Sequence, residues 1–256
     1  MHPPGLKIAA LELVAQGVND CEIARRLGVP RTTVRDWRAP KYVSQISYEV
    51  GVCPRCWRAT KPMVFSSEDY TYLLGIYLGD GCISRMGRTH RLRISLDLAY
   101  PQIIQVTDET LRRCFPASSV NITRLPTWVV CGVYSNHLPC LFPQHGPGKK
   151  HERRLILEEW QTRLVAAAPW GFLRGLIWSD GSSFVNRHGP YEDLCFVFSN
   201  TSLDLLQMCA AACDLVGLEY RLYAPRTKGG KRRAGAVRFN RRPSVAQLVE
   251  HVGIKQ

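Results

Sequence analysis

LLGIYLGDG, residues 73 to 81, and LRGLIWSDG, residues 173 to 181, are two copies of one pattern. In both copies a leucine comes first, a glycine is third, and an Asp-Gly pair closes the stretch. For a single copy a β-hairpin is the alternative, because Asp-Gly between apolar runs is a common hairpin turn. A helix is favoured because SSED (66–69) suits a helix start and Pro169 suits a first helical turn.

The small residues inside these predicted helices indicate that the two helices pack against each other. An interior helical glycine costs roughly 1 kcal/mol relative to alanine, so it needs a compensating role. Loss of the side chain lets two backbones approach closely, as in the small-x3-small helix pairs of membranes. The sequence therefore predicts a helix interface through Gly75, Gly79, Gly175 and Ser179.

Asp80 and Asp180 occupy the last turn of each predicted helix, before a glycine able to adopt the left-handed cap conformation. A carboxylate at this end opposes the helix dipole, at a cost of a few tenths to ~1 kcal/mol, and the paired helices would make the carboxylates repel. A divalent cation removes both penalties, and such a site can hydrolyse a phosphodiester. We predict that Asp80 and Asp180 are catalytic and bind Mg2+, for which Mn2+ can substitute, with backbone groups of Gly79 and Ser179 as further ligands.

The similarity continues after the motifs. VYSNHLPCL (133–141) aligns with VRFNRRPSV (237–245), which places Asn136 opposite Asn240. The chain after residue 66 is therefore predicted to be two related halves of about a hundred residues, the usual scale of a domain.

Each half is predicted to contain a motif helix, strands, a second helix, more strands and a last helix. The clearest strand is HRLRISLDL (90–98), in which apolar residues alternate with polar ones such as Arg91 and Arg93. One face of this strand would be buried and the other could contact DNA. The basic run TKGGKRRAG (227–235) is predicted to be a hairpin loop on phosphates, and a solvated flexible tip is the alternative.

The first forty residues form a separate helical pattern. Residues 6–38 contain three amphipathic segments, broken at Gly17 and Gly28, with a cap residue at Asn19 or Asp20. The short turn before the third helix is typical of a helix-turn-helix, and EIARRLGVPRTTVRDW resembles that of transposases, resolvases and many bacterial regulators. A three-helix bundle that binds protein or nothing is the alternative. The predicted DNA contacts of this unit are Arg31, Thr32, Thr33, Arg35 and Arg38.

Composition agrees with a nucleic-acid partner. The 256 residues include 34 Lys and Arg against 21 Asp and Glu, for a net charge of +13, so DNA is the first candidate and an acidic membrane surface the second. No apolar run has the length of a membrane span and the N-terminus lacks a signal-peptide core, so we expect a cytoplasmic protein with no membrane partner. The ten cysteines are scattered and are expected to be reduced.

A C-x2-C pair lies between the two regions. Cys53 and Cys56 can point two thiolates at one Zn2+, but a closed structural site needs four ligands. Cys140, His145 or His151 could supply the remainder. Free thiols in a turn are an equal alternative.

The paired motifs resemble those of the LAGLIDADG homing endonucleases in their single-chain form, over about residues 66–252. The resemblance implies an αββαββα unit for each half, a saddle of antiparallel strands on the DNA major groove, and Asp80 and Asp180 at the central minor groove. Members of this family cut both DNA strands in a staggered way with bound Mg2+. The chain departs from the family pattern at Trp178 and Ser179, and in its added helix-turn-helix.

The sequence thus predicts an α+β protein with two pseudo-symmetric αββαββα halves behind a helix-turn-helix. The predicted groove contacts of the halves are Arg91, Arg93, Arg221, Arg232, Arg238 and Arg241. The predicted regions are a helix-turn-helix domain (1–40), a linker (41–65), and the two halves (66–168 and 169–256).

The predicted function is site-specific cleavage of double-stranded DNA by a monomer with internal two-fold pseudosymmetry. A non-catalytic transcriptional regulator is the alternative, because a bacterial sporulation-regulator family resembles this design and lacks the catalytic acids. An RNA-binding maturase is a third reading, and the helix-turn-helix favours duplex DNA over it.

Overall fold

The computed structural model describes residues 4–38, 65–228 and 231–255, which fall into two compact units on either side of residues 39–64. Most of the predicted linker, including Cys53 and Cys56, lies outside the described residues. The two units are therefore taken one at a time.

The N-terminal unit has the three predicted helices, α1 (Pro4–Ala15), α2 (Asp20–Leu27) and α3 (Arg31–Arg38). The Asn19 side chain caps α2 by accepting hydrogen bonds from the backbone N–H groups of Cys21 and Glu22, at 3.1 and 3.0 Å. Gly28 ends α2 in the left-handed conformation, with φ of 62°. The unit buries Ala10, Ile23, Val29 and Val34.

The larger unit begins with the first half. Its elements are α4 (Ser67–Asp80), β1 (Gly81–Met86), β2 (Thr89–Asp97), α5 (Pro101–Cys114), β3 (Val120–Arg124), β4 (Trp128–Tyr134) and α6 (Leu138–Leu141). Its four strands form an antiparallel sheet in the order β1-β2-β4-β3. A connecting segment with a single 3-10 turn (Lys150–Glu152) and helix α7 (Glu159–Ala167) leads to the second half.

The second half repeats this order. Its elements are α8 (Pro169–Asp180), β5 (Gly181–His188), β6 (Tyr191–Asn200), α9 (Leu203–Leu215), β7 (Arg221–Tyr223), β8 (Arg226–Lys228), β9 (Lys231–Arg233), β10 (Gly235–Phe239) and α10 (Arg242–His251). Its main sheet has the order β5-β6-β10-β7, and β8 with β9 forms a separate two-stranded hairpin at the basic run. The predicted α+β class and αββαββα order are confirmed. None of the described helices is long and apolar enough to cross a membrane.

Both sequence motifs are helical, so the hairpin alternative is wrong. Ser66 caps α4 by accepting a hydrogen bond from the Asp69 N–H at 3.0 Å, and Pro169 lies in the first turn of α8. Every residue from Tyr70 to Leu78 is buried, a pattern typical of a helix that is covered on all sides. The two motif helices therefore form the centre of the larger unit.

The sequence alignment of the two halves is wrong by two residues in their last strands. Gly81 pairs with Ile94 and Gly181 with Phe198, which makes β1–β2 equivalent to β5–β6. In this frame Val133 of β4 is equivalent to Phe239 of β10, whereas the motif alignment places Val133 opposite Val237. A shift of two keeps the same side chains on the core face, so alternation alone could not detect it.

Candidate active site

The two motif helices touch at the small residues that the sequence singles out. A β-carbon on Gly175 would lie 2.3 Å from the Tyr72 carbonyl oxygen, and one on Gly75 would lie 2.5 Å from the Phe172 carbonyl oxygen. A β-carbon on Gly79 would lie 2.1 Å from Ser179 Oγ. The structure thus brings the four predicted interface residues together, with backbone against backbone at Gly75 and Gly175 and the Ser179 side chain against Gly79.

Asp80 and Asp180 end the two helices, next to this contact. Asp180 Oδ2 lies 3.2 Å from the β-carbon position of Gly79, so the Asp180 carboxylate reaches across to the first motif helix. The predicted left-handed caps are wrong, because Gly81 (φ −89°) and Gly181 (φ −94°) are extended. Each glycine instead begins a strand that leaves the helix without a turn residue. Their lack of a side chain is still required, since a β-carbon on Gly81 would lie 2.6 Å from Tyr77 Cα.

A lysine caps the end of each motif helix. Lys150 Nζ, from the connecting segment, donates hydrogen bonds to the carbonyl oxygens of Tyr77, Gly79 (3.0 Å) and Gly81 (2.6 Å). The Tyr77 and Gly79 carbonyls lie in the last turn of the helix and carry the negative end of its dipole, so an ammonium group there is stabilising.

The second helix end has an equivalent cap. Lys255 Nζ donates to the carbonyl oxygens of Ser179, at 2.8 Å, and Gly181, at 3.3 Å. Lys150 Nζ lies 4.9 Å from the centre of the Tyr77 ring, and Lys255 Nζ lies 5.0 Å from the Tyr100 ring. The connecting segment and the end of the second half therefore supply one cation each, at the ends of the two motif helices.

Burial and mutual repulsion act on the two acids. Burial, and then the negative charge of Asp180, raises the pKa of Asp80 to about 6, although Lys255 and Lys150 oppose the shift. Burial also raises the pKa of Asp180, and a hydrogen bond donated by Asn200 Nδ2 at 2.8 Å is the largest opposing effect. Both carboxylates are therefore held in an environment that disfavours their charge.

The lysines respond in the opposite sense. Burial lowers the pKa of Lys150 to about 8 and lowers that of Lys255, while the two aspartates oppose both changes. Two ammonium groups thus face two carboxylates. Lys150 and Lys255 therefore supply charge that partly offsets the two aspartates, in addition to the divalent cation predicted from the sequence.

The raised pKa of Asp80 predicts that the protein loses stability as the pH rises. The folded state binds this proton more tightly than the unfolded chain does, so the stabilisation is complete below pH 3.8 and is lost as the pH passes through about 6. The loss should approach about 3 kcal/mol in the free energy of unfolding. Urea unfolding in EDTA at a series of pH values from 4 to 7 measures it, with Asp80→Asn as the comparison. Equal pH slopes for the two proteins would contradict the assignment.

The donor set fits a divalent cation of the Mg2+ type. Carboxylate oxygens are its preferred protein ligands, and Mg2+ keeps several waters and uses only one or two carboxylates. The described residues contain no group of three or more His, Cys, Asp or Glu side chains that could hold a metal ion. The carboxylates at this place are Asp80 and Asp180. The carbonyls of Gly79 and Ser179, predicted as further ligands, each accept a lysine hydrogen bond here.

The candidate Zn2+ ligands are not gathered into a site within the described ranges. Cys140 is half-buried and forms no disulfide, and the His145 ring lies 5.9 Å from that of His90. Burial, followed by His90 and Arg153, lowers the pKa of His145, which favours a neutral imidazole. With Cys53 and Cys56 outside the described residues, the Zn2+ site stays a prediction.

The predicted groove contacts of the larger unit lie on strands or next to them. Arg93 is exposed on β2 and donates a hydrogen bond to Ser84 Oγ at 2.9 Å. The guanidinium groups of Arg91 and Arg238 lie over the rings of Tyr134 and Tyr223. Arg221 is exposed on β7, Arg232 belongs to β9, and Arg241 pairs with Glu219 at 3.6 Å.

In the N-terminal unit, the predicted contacts lie on α3. Arg31, Thr32 and Arg35 are exposed and Thr33 is half-buried. Arg38 pairs with Asp20 Oδ1 at 2.9 Å. Most of this polar helix face is therefore accessible to a partner.

Sequence reasoning missed Lys150, Lys255 and Asn200. The two lysines are separated by 105 residues. This is close to the offset of 104 residues in the sequence alignment of the last strands and to the offset of 106 residues in their strand pairing. Extending the internal comparison past the last helix of each half would have paired them. Asn200 carried no such signal, because its equivalent in the first half is not polar.

Comparison with known proteins follows the same division. Residues 5–39 match the model of a homeodomain-like domain, and residues 168–253 match that of a LAGLIDADG-like domain. A search of the curated proteins finds no match.

Several solved structures resemble the chain. The homing endonuclease I-DmoI in complex with DNA and Mn is 16% identical, with 73% of this chain and 97% of that chain covered and a TM-score of 0.46. The N-terminal LAGLIDADG domain of DUF199/WhiA is 14% identical, with 76% and 87% covered and a TM-score of 0.47. The homing endonuclease I-GzeII in complex with its DNA target is 11% identical, with 73% and 84% covered and a TM-score of 0.43. By the two domain matches, the chain carries a LAGLIDADG-like domain over residues 168–253 and a homeodomain-like domain over residues 5–39.

Proposed function

We propose that the protein is a site-specific, metal-dependent endonuclease of double-stranded DNA. The observation that carries the proposal is the meeting of Asp80 and Asp180 at the ends of two helices in contact, beside Lys150 and Lys255. Two acids and two cations in a small region are suited to a phosphodiester, which needs a held cation and positive charge around its oxygens. All four residues come from one chain, so a monomer suffices.

Asp80 and Asp180 would hold Mg2+ or Mn2+, and the bound ion would activate water and stabilise the leaving oxygen. The Asp180 carboxylate accepts a hydrogen bond from Asn200 Nδ2 at 2.8 Å. Lys150, with a pKa of about 8, keeps its proton on Nζ at neutral pH and so acts as a fixed positive charge. Such preorganised charge stabilises the phosphate oxygens as they become more negative.

DNA binding would use the exposed polar faces of both units. Arg93 and Arg238 extend from strands of the two sheets, and β8–β9 adds a basic hairpin. Contacts from arginines to phosphates position the duplex, whereas contacts to base edges in the major groove carry specificity. The accessible face of α3 would add a second reading unit, as in other helix-turn-helix domains.

A non-catalytic DNA-binding regulator is the second candidate. The observation that favours it is the charge balance at the helix ends, where Lys150 and Lys255 offset the two aspartates without a metal ion. In that reading the acids and lysines would be a structural network between the halves.

Cleavage of a randomised duplex library by the purified full chain separates the two functions. The endonuclease proposal predicts double-strand cuts at one long site with Mg2+ or Mn2+, and none in EDTA. Selection of bound but uncut DNA should return the same site. Selective binding with intact DNA under all metal conditions would overturn the endonuclease and establish the regulator.

A further inference from the structure

The two half-sites differ at one structurally equivalent position. Because Gly81 pairs with Ile94 and Gly181 with Phe198, two residues further along each strand are Leu96 and Asn200. Leu96 is buried and Asn200 is half-buried. The first half therefore has an apolar side chain where the second half has an amide.

Asn200 is fixed at both ends of its amide. Its Nδ2 donates to Asp180 Oδ2 at 2.8 Å, and its Oδ1 accepts from the Ser202 N–H at 2.7 Å, at the start of α9. The second bond determines which end of the amide faces the acid, since only the NH2 group can donate to a carboxylate. Asp180 is thus held by a side chain that is itself tied to the backbone.

The first half has no residue equivalent to Asn200 beside Asp80. Leu96 is 4% exposed and lines a cavity of about 290 Å³ together with Asp80, Tyr100 and Lys255. Within the described parts of the chain, no side chain donates a hydrogen bond to the Asp80 carboxylate. The Asp80 carboxylate therefore borders open space, where the equivalent region of the second half contains an ordered hydrogen bond.

We infer that the two half-sites are unequal, that Asn200 is a positioning residue for Asp180, and that the Asp180 half-site binds a divalent cation more tightly than the Asp80 half-site. A carboxylate held in place loses less conformational freedom on binding, and loss of such supporting hydrogen bonds typically weakens metal binding by about 10- to 100-fold. A consequence for cleavage rests on the proposed endonuclease activity. The DNA strand cut at the Asp180 half-site is cut first, so nicked DNA precedes the double-strand break.

Titration of the full chain with Mn2+, followed by the electron paramagnetic resonance signal of the free ion, tests the binding difference without DNA or cleavage. The wild type should show a tighter and a weaker class of site. Asn200→Leu should weaken the tighter class by about 10- to 100-fold. Leu96→Asn should strengthen Mn2+ binding at the weaker class. Asn200→Gln, which keeps an amide, should weaken the tighter class less than Asn200→Leu does. Asn240→Leu, at an exposed position, is the matched control and should change neither class.

Urea unfolding of each variant shows whether it retains the fold, and Leu96→Asn keeps the inference testable if Asn200→Leu does not fold. Two equal classes of site, no Mn2+ binding, or unchanged binding in both Asn200→Leu and Leu96→Asn would each overturn the inference.

A supercoiled plasmid that carries the selected target tests the consequence for cleavage. Open circles should accumulate before linear DNA, with the nick on one strand, and Leu96→Asn should reduce the accumulation. Unequal Mn2+ binding without any DNA cleavage would contradict the proposed endonuclease activity but support the unequal half-sites. Simultaneous cleavage of both strands, with two Mn2+ sites of equal affinity, would contradict the unequal half-sites but support the proposed endonuclease activity.

Discussion

Replacement of either Asp80 or Asp180 by asparagine should abolish DNA cleavage while the protein continues to bind its target. Asparagine has nearly the same size but carries no charge, so it cannot hold a divalent cation as a carboxylate does. Loss of the cation removes several kcal/mol of transition-state stabilisation, which corresponds to a fall of about 1,000-fold or more in cleavage rate. Single-turnover cleavage with Mg2+ and a gel-shift titration in Ca2+ separate the two effects.

The control for these variants is Glu109→Gln, which removes a carboxylate from an exposed position on α5. It should leave both rate and affinity unchanged. The two aspartate variants should also be more stable than the wild type in EDTA at pH 7, because each removes a buried repelling charge. Full cleavage by both variants would remove the aspartates from the reaction.

Alanine at Gly175 should be among the most destabilising single substitutions in the larger unit. Its β-carbon would lie 2.3 Å from the Tyr72 carbonyl oxygen and 2.7 Å from the Ile76 nitrogen, and neither backbone atom can rotate away. Overpacking a core costs typically about 1–3 kcal/mol and more where the neighbours cannot yield. We expect about 3 kcal/mol or more in the free energy of unfolding, measured by urea denaturation.

Gly5→Ala provides the matched control, since it is the same change in a helix with no atom within 4 Å. It should be neutral or slightly stabilising, because alanine favours helix over glycine. A loss of less than 1 kcal/mol for Gly175→Ala would contradict the close backbone contact.

The contact at Gly79 offers a rescue that the contact at Gly175 does not. The obstacle to a β-carbon on Gly79 is the side chain of Ser179, at 2.1 and 2.3 Å from its Oγ and Cβ. Ser179→Gly should therefore recover much of the stability lost in Gly79→Ala, a coupling that a double-mutant cycle measures.

The fold could be predicted because each of its main elements carries a local signal. The Ser66 and Asn19 caps, the Pro169 helix start and the alternation around Arg93 all depend on near neighbours in sequence. Small residues four apart then indicated the contact between the motif helices. A single copy of the motif is compatible with a helix or a hairpin, and the second copy, which follows Pro169, favours the helix for both.

The remaining features depend on atoms distant in sequence. Lys150 lies 71 residues from Gly79, whose carbonyl it contacts, and no helical or strand period connects them. The register of the last strands was missed because a shift of two residues leaves the buried pattern intact. The extended conformation of Gly81 and its close approach to Tyr77 are features of the folded packing that no local sequence pattern indicates.

Lys150 also limits how the two halves could be recombined. The segment between the halves is more than a tether, because it delivers an ammonium group to the end of the first motif helix. A chimera that joined this first half to a foreign second half through a glycine–serine linker would lack that cation. Modular exchange in this chain therefore has to treat the connection as a part of the site and transfer it together with the first motif helix.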